Sequence, residues 1–143
     1  MKSYTDLEQS KKLTEIISIE SADMHYARVK DEEYDWIPLL SPIPKLCAEY
    51  IENIPCWSLA ALMNLLPSEF TEVGKYSTTT YEIKIRKYKF TDEVNLHQIA
   101  YGSYKWYEDG SCSWSDMINT GEKEDLLDAV FQMICWLKEN NKL

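Results

Sequence analysis

The stretch YKWYEDGSCSWS, residues 104–115, decides the fold class that the sequence predicts. Bulky aromatic residues alternate with smaller or charged ones on either side of Asp109 and Gly110. An Asp-Gly pair between two alternating runs is typical of two antiparallel strands joined by a tight turn. We therefore expect a β-hairpin here, and with it an antiparallel sheet.

The register of this hairpin depends on the length of its loop. A two-residue loop would place Trp106 opposite Ser113. A three-residue loop, with the turn glycine in the left-handed conformation, would place Trp106 opposite Cys112 and Tyr104 opposite Trp114. The second register gathers the aromatic side chains on one face, and register follows the hydrophobic pattern. We therefore expect the three-residue loop.

Other alternating segments extend this sheet. In residues 78–90, apolar and charged side chains alternate, but the alternation reverses near Arg86 and Lys87, which indicates a β-bulge or a strand leaving the sheet. The same patterns predict strands at residues 96–107 and 112–115 and short strands at 21–29 and 34–37.

Helical patterns flank these strands. Helices are predicted at residues 6–17, 54–66 and 122–140, with a further short helix possible at 46–54. Thr5 and Glu8 have the spacing of a capping box for the first helix. The second helix lies between Pro55 and Pro67 and is apolar nearly all round, so we expect it to be buried at the centre of the core.

The order of these elements predicts an α+β fold. A small antiparallel sheet packs against the central buried helix and the C-terminal helix, with an N-terminal helix added. The length of 143 residues fits a single domain spanning residues 1–143.

Composition limits the possible functions. The net charge of −9 disfavours nonspecific binding to nucleic acid, because an acidic surface repels phosphates. The sequence shows no secretory signal and no apolar run long enough to cross a membrane. None of the four cysteines has metal-ligand spacing. Because no secretory signal is visible, we expect four reduced thiols and a cytoplasmic location.

No catalytic or cofactor motif is present in the sequence, so we predict no catalytic residue, cofactor or metal and lean towards a protein without enzymatic activity. His25 and His97 lack convergent partners, and surface or edge-strand positions are the favoured interpretation. Cys56 stands near the predicted start of the central helix, where a thiol pKa can fall. Its apolar neighbours favour a buried, inert cysteine.

One segment suggests a nucleic-acid interface. Lys84, Arg86, Lys87 and Lys89 are interleaved with aromatic residues, as in sheets that stack bases over a basic face. The alternative is a solvated strand face or an edge strand guarded by charge. With so acidic a chain, we consider nucleic-acid binding the weaker interpretation.

The aromatic residues of the hairpin form the most informative candidate site. They are either core residues covered by helices or a partly open surface that binds a protein partner or a second copy of the chain. Coverage by helices is the favoured interpretation, because soluble monomers rarely expose such patches. The candidate residues are Tyr101, Tyr104, Trp106, Tyr107 and Trp114.

Both ends of the chain and its centre resemble a known group of proteins. The matching segments are residues 5–13 and 20–24, residues 54–62 with Leu66 and Pro67, and residues 128–134. They resemble small, acidic proteins of gut bacteria and their phages or mobile elements, for which no activity is known. The resemblance implies at most a cytosolic accessory protein in a phage or mobile-element setting.

The sequence therefore leads to three functional hypotheses. The first is a non-enzymatic protein-interaction module that binds an unidentified protein or itself. The second is a small-molecule-binding protein or enzyme with a pocket between the sheet and the central helix. The third is nucleic-acid binding through the strand face from Lys84 to Lys89.

Overall fold

A computed structural model describes residues 2–30, 35–40 and 50–143 of the chain. Its helices and strands confirm the α+β class, with two antiparallel sheets where the sequence predicted one small sheet. In chain order they are α1 (Leu7–Ile16), β1 (Met24–Val29), β2 (Ile37–Leu39), β3 (Ile51–Cys56), α2 (Leu59–Leu65), β4 (Glu69–Val73), β5 (Thr78–Lys89), β6 (Asn95–Trp106), β7 (Cys112–Asn119) and α3 (Leu126–Glu139).

The chain divides into two compact units, Lys2–Asn64 and Leu65–Leu143. The prediction of a single domain over residues 1–143 stays a prediction, since compact units can belong to one domain or to two. In the parts of the chain that the structure describes, no helix combines the length and the apolar character that a membrane crossing requires.

The first unit contains a three-stranded antiparallel sheet in the order β2-β1-β3. Pro38 lies in the edge strand β2, where its missing N–H leaves no ladder bond unmade. Helix α1 packs against β3. Trp57 is fully buried beyond the end of β3, and its indole N–H donates to the Ser21 hydroxyl at 2.9 Å. The predicted strand at 34–37 begins at Tyr34, which lies outside the described residues.

The capping box of α1 is shifted by one residue from the prediction. Asp6 is the N-cap, its carboxylate accepts from the Gln9 N–H, and the Gln9 side chain accepts from the Asp6 N–H. Thr5 cannot cap the helix because it is fully buried and its hydroxyl accepts from the Trp57 N–H at 3.1 Å.

The predicted central helix at residues 54–66 is wrong in its first half. Ile51–Cys56 forms β3, which pairs along its whole length with β1. Helix α2 begins only at Leu59, after Ser58, whose hydroxyl accepts from the Ala61 N–H at 3.1 Å. Only Leu62 of its seven residues is buried, so α2 is not the buried centre of a core. Cross-strand pairing with a distant segment overrode the local helical pattern.

The same pairing overturns part of the short helix considered at residues 46–54. Residues 46–49 lie outside the described residues, whereas residues 51–54 belong to β3.

The second unit contains a four-stranded antiparallel sheet in the order β4-β5-β6-β7, and α3 packs against β6. The predicted C-terminal helix is confirmed, although it begins at Leu126 instead of residue 122. On the face that carries Phe70, Tyr101 is fully buried and its hydroxyl donates to the Pro67 carbonyl. The rings of Phe70 and Tyr101 lie 5.0 Å apart, and the Phe70 ring also lies 6.5 Å from that of Trp136 in α3.

The predicted hairpin register is confirmed. Tyr104 pairs with Trp114 and Trp106 pairs with Cys112, and Gly110 has φ of 81°.

Neither the bulge predicted near Arg86 and Lys87 nor the alternative, a strand leaving the sheet there, is present, because β5 and β6 pair without a register shift from Glu82 to Lys89. The reversed alternation instead leaves Tyr88 and Phe90 exposed, 41% and 70% respectively. The register shift of this sheet lies between β6 and β7. Tyr101 pairs with Ile118 and Gly102 with Asp116, so Met117 is the extra residue.

Candidate functional site

The five predicted surface residues do not share one face of the sheet. Side chains alternate along a strand, so Tyr104 and Trp106 point to one face of β6 and Tyr101 and Tyr107 to the other. Trp114 shares the face of Tyr104, its cross-strand partner. The prediction that these side chains belong to the core is correct for Tyr101, which is fully buried. It is wrong for Tyr104 and Trp106, which are 43% and 70% exposed.

Two of these aromatic residues contact a lysine from β5. The rings of Tyr104 and Trp114 meet edge to face, with centroids 5.0 Å apart, and Trp106 lies 6.5 Å from Tyr104. The ammonium of Lys84 lies 4.5 Å from the ring centre of Tyr104 and 3.7 Å from that of Trp114. We call Lys84, Tyr104, Trp106 and Trp114 the aromatic face.

A glycine beneath this cluster makes room for it. A Cβ added at Gly102 would lie 2.7 Å from the indole ring of Trp114 and would also clash with the Ser115 carbonyl oxygen. Glycine inside a strand often marks such a close approach. The missing side chain therefore allows Trp114 to lie flat over β6, where Lys84 can reach it.

An ion pair fixes the other side of Trp114. The Arg86 guanidinium donates to both carboxylate oxygens of Asp116, at 2.8 and 2.6 Å, and to the Gln98 side chain at 2.8 Å. The indole N–H of Trp114 donates to the same carboxylate. These bonds, those from Arg86 first, lower the pKa of Asp116 to about 2. The carboxylate is therefore charged at neutral pH and holds the indole in place.

The four basic residues considered for nucleic-acid binding do not form one basic face. Lys84 and Arg86 point to the aromatic face and Lys87 and Lys89 to the opposite one, by the alternation of β5. Arg86 is paired with Asp116, and the Lys89 ammonium lies 2.6 Å from the Asp92 carboxylate. Few of these charges remain to meet a phosphate backbone.

The histidines and Cys56 do not come together. His25 lies in β1 and His97 in β6, and both are inner strands, so the edge-strand alternative of the prediction is wrong, whereas both side chains are partly buried. Cys56 ends a strand instead of starting a helix and is fully buried. Burial raises the pKa of its thiol, which favours the inert interpretation. Across the described ranges, no three His, Cys, Asp or Glu side chains form a group that could hold a metal ion.

Comparison with known proteins assigns no family or function to the chain. No family model, no curated protein and no solved structure matches the chain. Sequence reasoning identified Tyr104, Trp106 and Trp114 but missed Lys84 as the cation that contacts Tyr104 and Trp114. The signal that could have found it was Gly102 inside an otherwise bulky strand.

Proposed function

We propose that this chain is a non-enzymatic protein-interaction module that contacts its partner through the aromatic face. The observation that supports this proposal is the 70% exposure of Trp106 beside Tyr104 on a sheet face whose other aromatic residues are fixed in place. Tryptophan and tyrosine are enriched at the centres of protein interfaces, where they bury a large area at small entropic cost.

The fixed side chains of the aromatic face support its use as a binding surface. Trp114 is held by Asp116, and Lys84 is held between two rings, so these side chains lose little rotamer freedom when a partner covers them. Such pre-organisation lowers the entropic cost of association.

The other hypotheses receive less support. The hypothesis of a small-molecule pocket between the sheet and a buried central helix is weakened, because residues 51–56 form a strand instead of the first half of that helix. The nucleic-acid hypothesis is weakened by the pairing of Arg86 and Lys89 with acidic side chains. The cytoplasmic location and the phage or mobile-element setting belong to the proposal and rest on sequence reasoning alone.

A comparison of three baits tests the proposal. Full-length tagged chains with the native sequence, with Trp106→Ala and with Phe90→Ala are used to capture proteins from lysate, and each captured protein is then purified and titrated directly. Phe90 is a matched control, because its side chain is also 70% exposed but lies just beyond Lys89, at the end of β5 opposite to the aromatic face. In parallel, sedimentation of the three purified chains measures self-association.

The expected result is a partner, or a dimer, whose affinity falls at least tenfold with Trp106→Ala and stays unchanged with Phe90→Ala, as for a hot-spot residue. The proposal is overturned if the Trp106→Ala chain binds every purified candidate as tightly as the native chain. It is also overturned if no purified candidate binds and the native chain remains a monomer.

A further inference from the structure

The four-stranded sheet splits at one end. Strands β5 and β6 pair from Lys89 and Asn95 as far as Glu82 and Gly102. Beyond that point, β5 continues paired only with β4, and β6 continues paired only with β7. Between the diverging strands lies an open cleft of about 500 Å³. Its lining residues are Thr78, Thr79, Thr80, Glu82, Ser103, Tyr104 and Trp106.

On the β5 wall of this cleft, the backbone of two threonines points inward. The Ile83 N–H donates to the Ser68 carbonyl, which places odd-numbered residues of β5 in the hydrogen-bonded positions facing β4. The N–H and C=O groups of Thr78 and Thr80 therefore face the cleft, and both residues are exposed.

The β6 wall presents its backbone in the same way. The Tyr107 N–H donates to the Ser111 carbonyl at 2.9 Å, so odd-numbered residues at this end of β6 bond to β7. The backbone groups of Tyr104 and Trp106 therefore face the cleft. No strand among the described residues pairs with the side of either wall that faces the cleft. The cleft therefore has two facing rows of backbone donors and acceptors without a strand partner.

The split has a structural cause in β6 and β7. Gly102 lies at the last paired position, and the extra residue Met117 shifts the register of β7 next to it. A bulge bends its strand and increases the local twist. The β6–β7 hairpin thereby turns away from β5 at a fixed place, so the pairing register of the strands defines the cleft, and not the conformation of a loop.

The side chains around the cleft define the chemistry of an occupant. The aromatic rings of Tyr104 and Trp106 form one wall and threonine side chains the other. Glu82 lies at the closed end and makes no ion pair with a described residue, and the whole chain carries a charge of −9. An occupant with a positive charge at the closed end and an apolar group along the aromatic wall is complementary to this lining.

We propose that the cleft binds an extended, basic peptide segment of a protein partner by β-strand addition. The open stretches, residues 78–80 of β5 and 103–106 of β6, contain three and four residues and at about 3.3 Å per residue span about 10–13 Å, which accommodates three to four residues of the segment. Its backbone pairs with the inward-facing backbone groups, a Lys or Arg side chain faces Glu82, and an apolar side chain packs on Trp106. This inference rests on the proposed function and specifies the partner's chemistry.

The test uses the full-length chain and a phage-displayed library of random linear peptides. Enriched peptides are synthesised and titrated, and hydrogen exchange is measured for individual amides with and without peptide. We expect enriched peptides to carry Lys or Arg, and the amides of Thr78, Thr80, Tyr104 and Trp106 to exchange at least tenfold more slowly in the complex.

Two variants separate this inference from the proposed function. Thr80→Pro removes one N–H that faces the cleft and leaves the β4 ladder intact, since proline is tolerated where its N–H position faces outward. It should weaken peptide binding at least tenfold while circular dichroism stays native. Glu82→Gln should remove the preference for basic peptides.

Three outcomes overturn the inference. The first is that no peptide enriches. The second is that peptides bind native and Thr80→Pro chains equally while Trp106→Ala abolishes binding, which leaves the proposed function standing and removes only the cleft. The third is that cleft amides are already protected in a dimer of the free chain, so that the occupant is a second copy.

Discussion

The ammonium of Lys84 lies 3.7 Å from the centre of the Trp114 indole ring, although the two residues are separated by strand β6. Gly102 of the intervening strand has no side chain, and a Cβ at this position would lie 2.7 Å from the Trp114 ring. A cation over an indole ring is attracted by the negative ring face. This contact links β5 to β7 across the aromatic face.

Replacing Lys84 with methionine should lower the free energy of unfolding by about 1 kcal/mol, because the chain keeps an aliphatic side chain but loses the cation–π attraction. Urea unfolding followed by tryptophan fluorescence measures the change. Lys87→Met, on the opposite face of the same strand, is the control and should change stability by less than about 0.5 kcal/mol. Equal effects of the two variants would contradict the assigned role of Lys84.

Protonation of Asp116 at low pH should lower the free energy of unfolding. Its pKa is lowered to about 2, so the folded state favours the charged carboxylate over an unfolded state with a pKa near 3.9. The resulting stabilisation is present above about pH 4 and is lost as the pH falls towards 2. The shift corresponds to at most about 2–3 kcal/mol, and solvent reduces this value because about a quarter of the side chain is exposed.

The Asp116→Asn variant checks this assignment. Urea unfolding at a series of pH values should show a smaller loss of stability between pH 4 and pH 2 than in the native chain, because one depressed carboxylate is absent. An unchanged pH dependence would mean that other carboxylates cause the acid sensitivity.

Gly102→Ala should destabilise the second unit by about 1–3 kcal/mol or more, because the new methyl group would meet the Trp114 ring and the Ser115 backbone together. The backbone oxygen cannot rotate away as a side chain can. Thermal unfolding measures the effect, and Ser103→Ala on the same strand serves as a control that adds no atoms. A native melting temperature for Gly102→Ala would show that Trp114 does not lie over this glycine.

Trp57→Ala should cost about 3–5 kcal/mol of stability, because Trp57 is fully buried and its indole N–H bonds to Ser21. Denaturant unfolding monitored by circular dichroism gives the value. Trp106→Ala removes an equally large but exposed side chain and should cost far less. If the two tryptophan variants are equally stable, the assignment of Trp57 to the core is wrong.

Local patterns predicted the elements whose geometry depends on nearby residues. The hairpin register follows from the alternation around Gly110, and its positive φ is a local requirement of the three-residue loop. Helix α3 follows from a sustained helical period over fourteen residues. In both cases the interacting residues are close in sequence, so a pattern over a short window contains the information.

The sequence predictions that were wrong concern residues that interact with segments distant in the chain. Residues 51–56 have helical spacing and a proline suited to a helix start, yet they form β3 because β1 offers a complementary edge. The N-cap moved from Thr5 to Asp6 because the Thr5 hydroxyl bonds to the distant Trp57 backbone. Neither partner can be identified from the local pattern alone.

The sequence by itself determined the α+β class, the β6–β7 hairpin and the C-terminal helix, because alternation, turn chemistry and helical period act over short distances. Only the tertiary structure decided which aromatic residues are exposed, which cation lies among them and where the sheet splits. Exposure of Trp106 and burial of Tyr101 depend on which face α3 covers. The cleft depends on the point at which β5 stops pairing with β6 and stays paired with β4 alone, while β6 stays paired with β7 alone. The registers of these three strand pairs together set that point, and no single local pattern shows it.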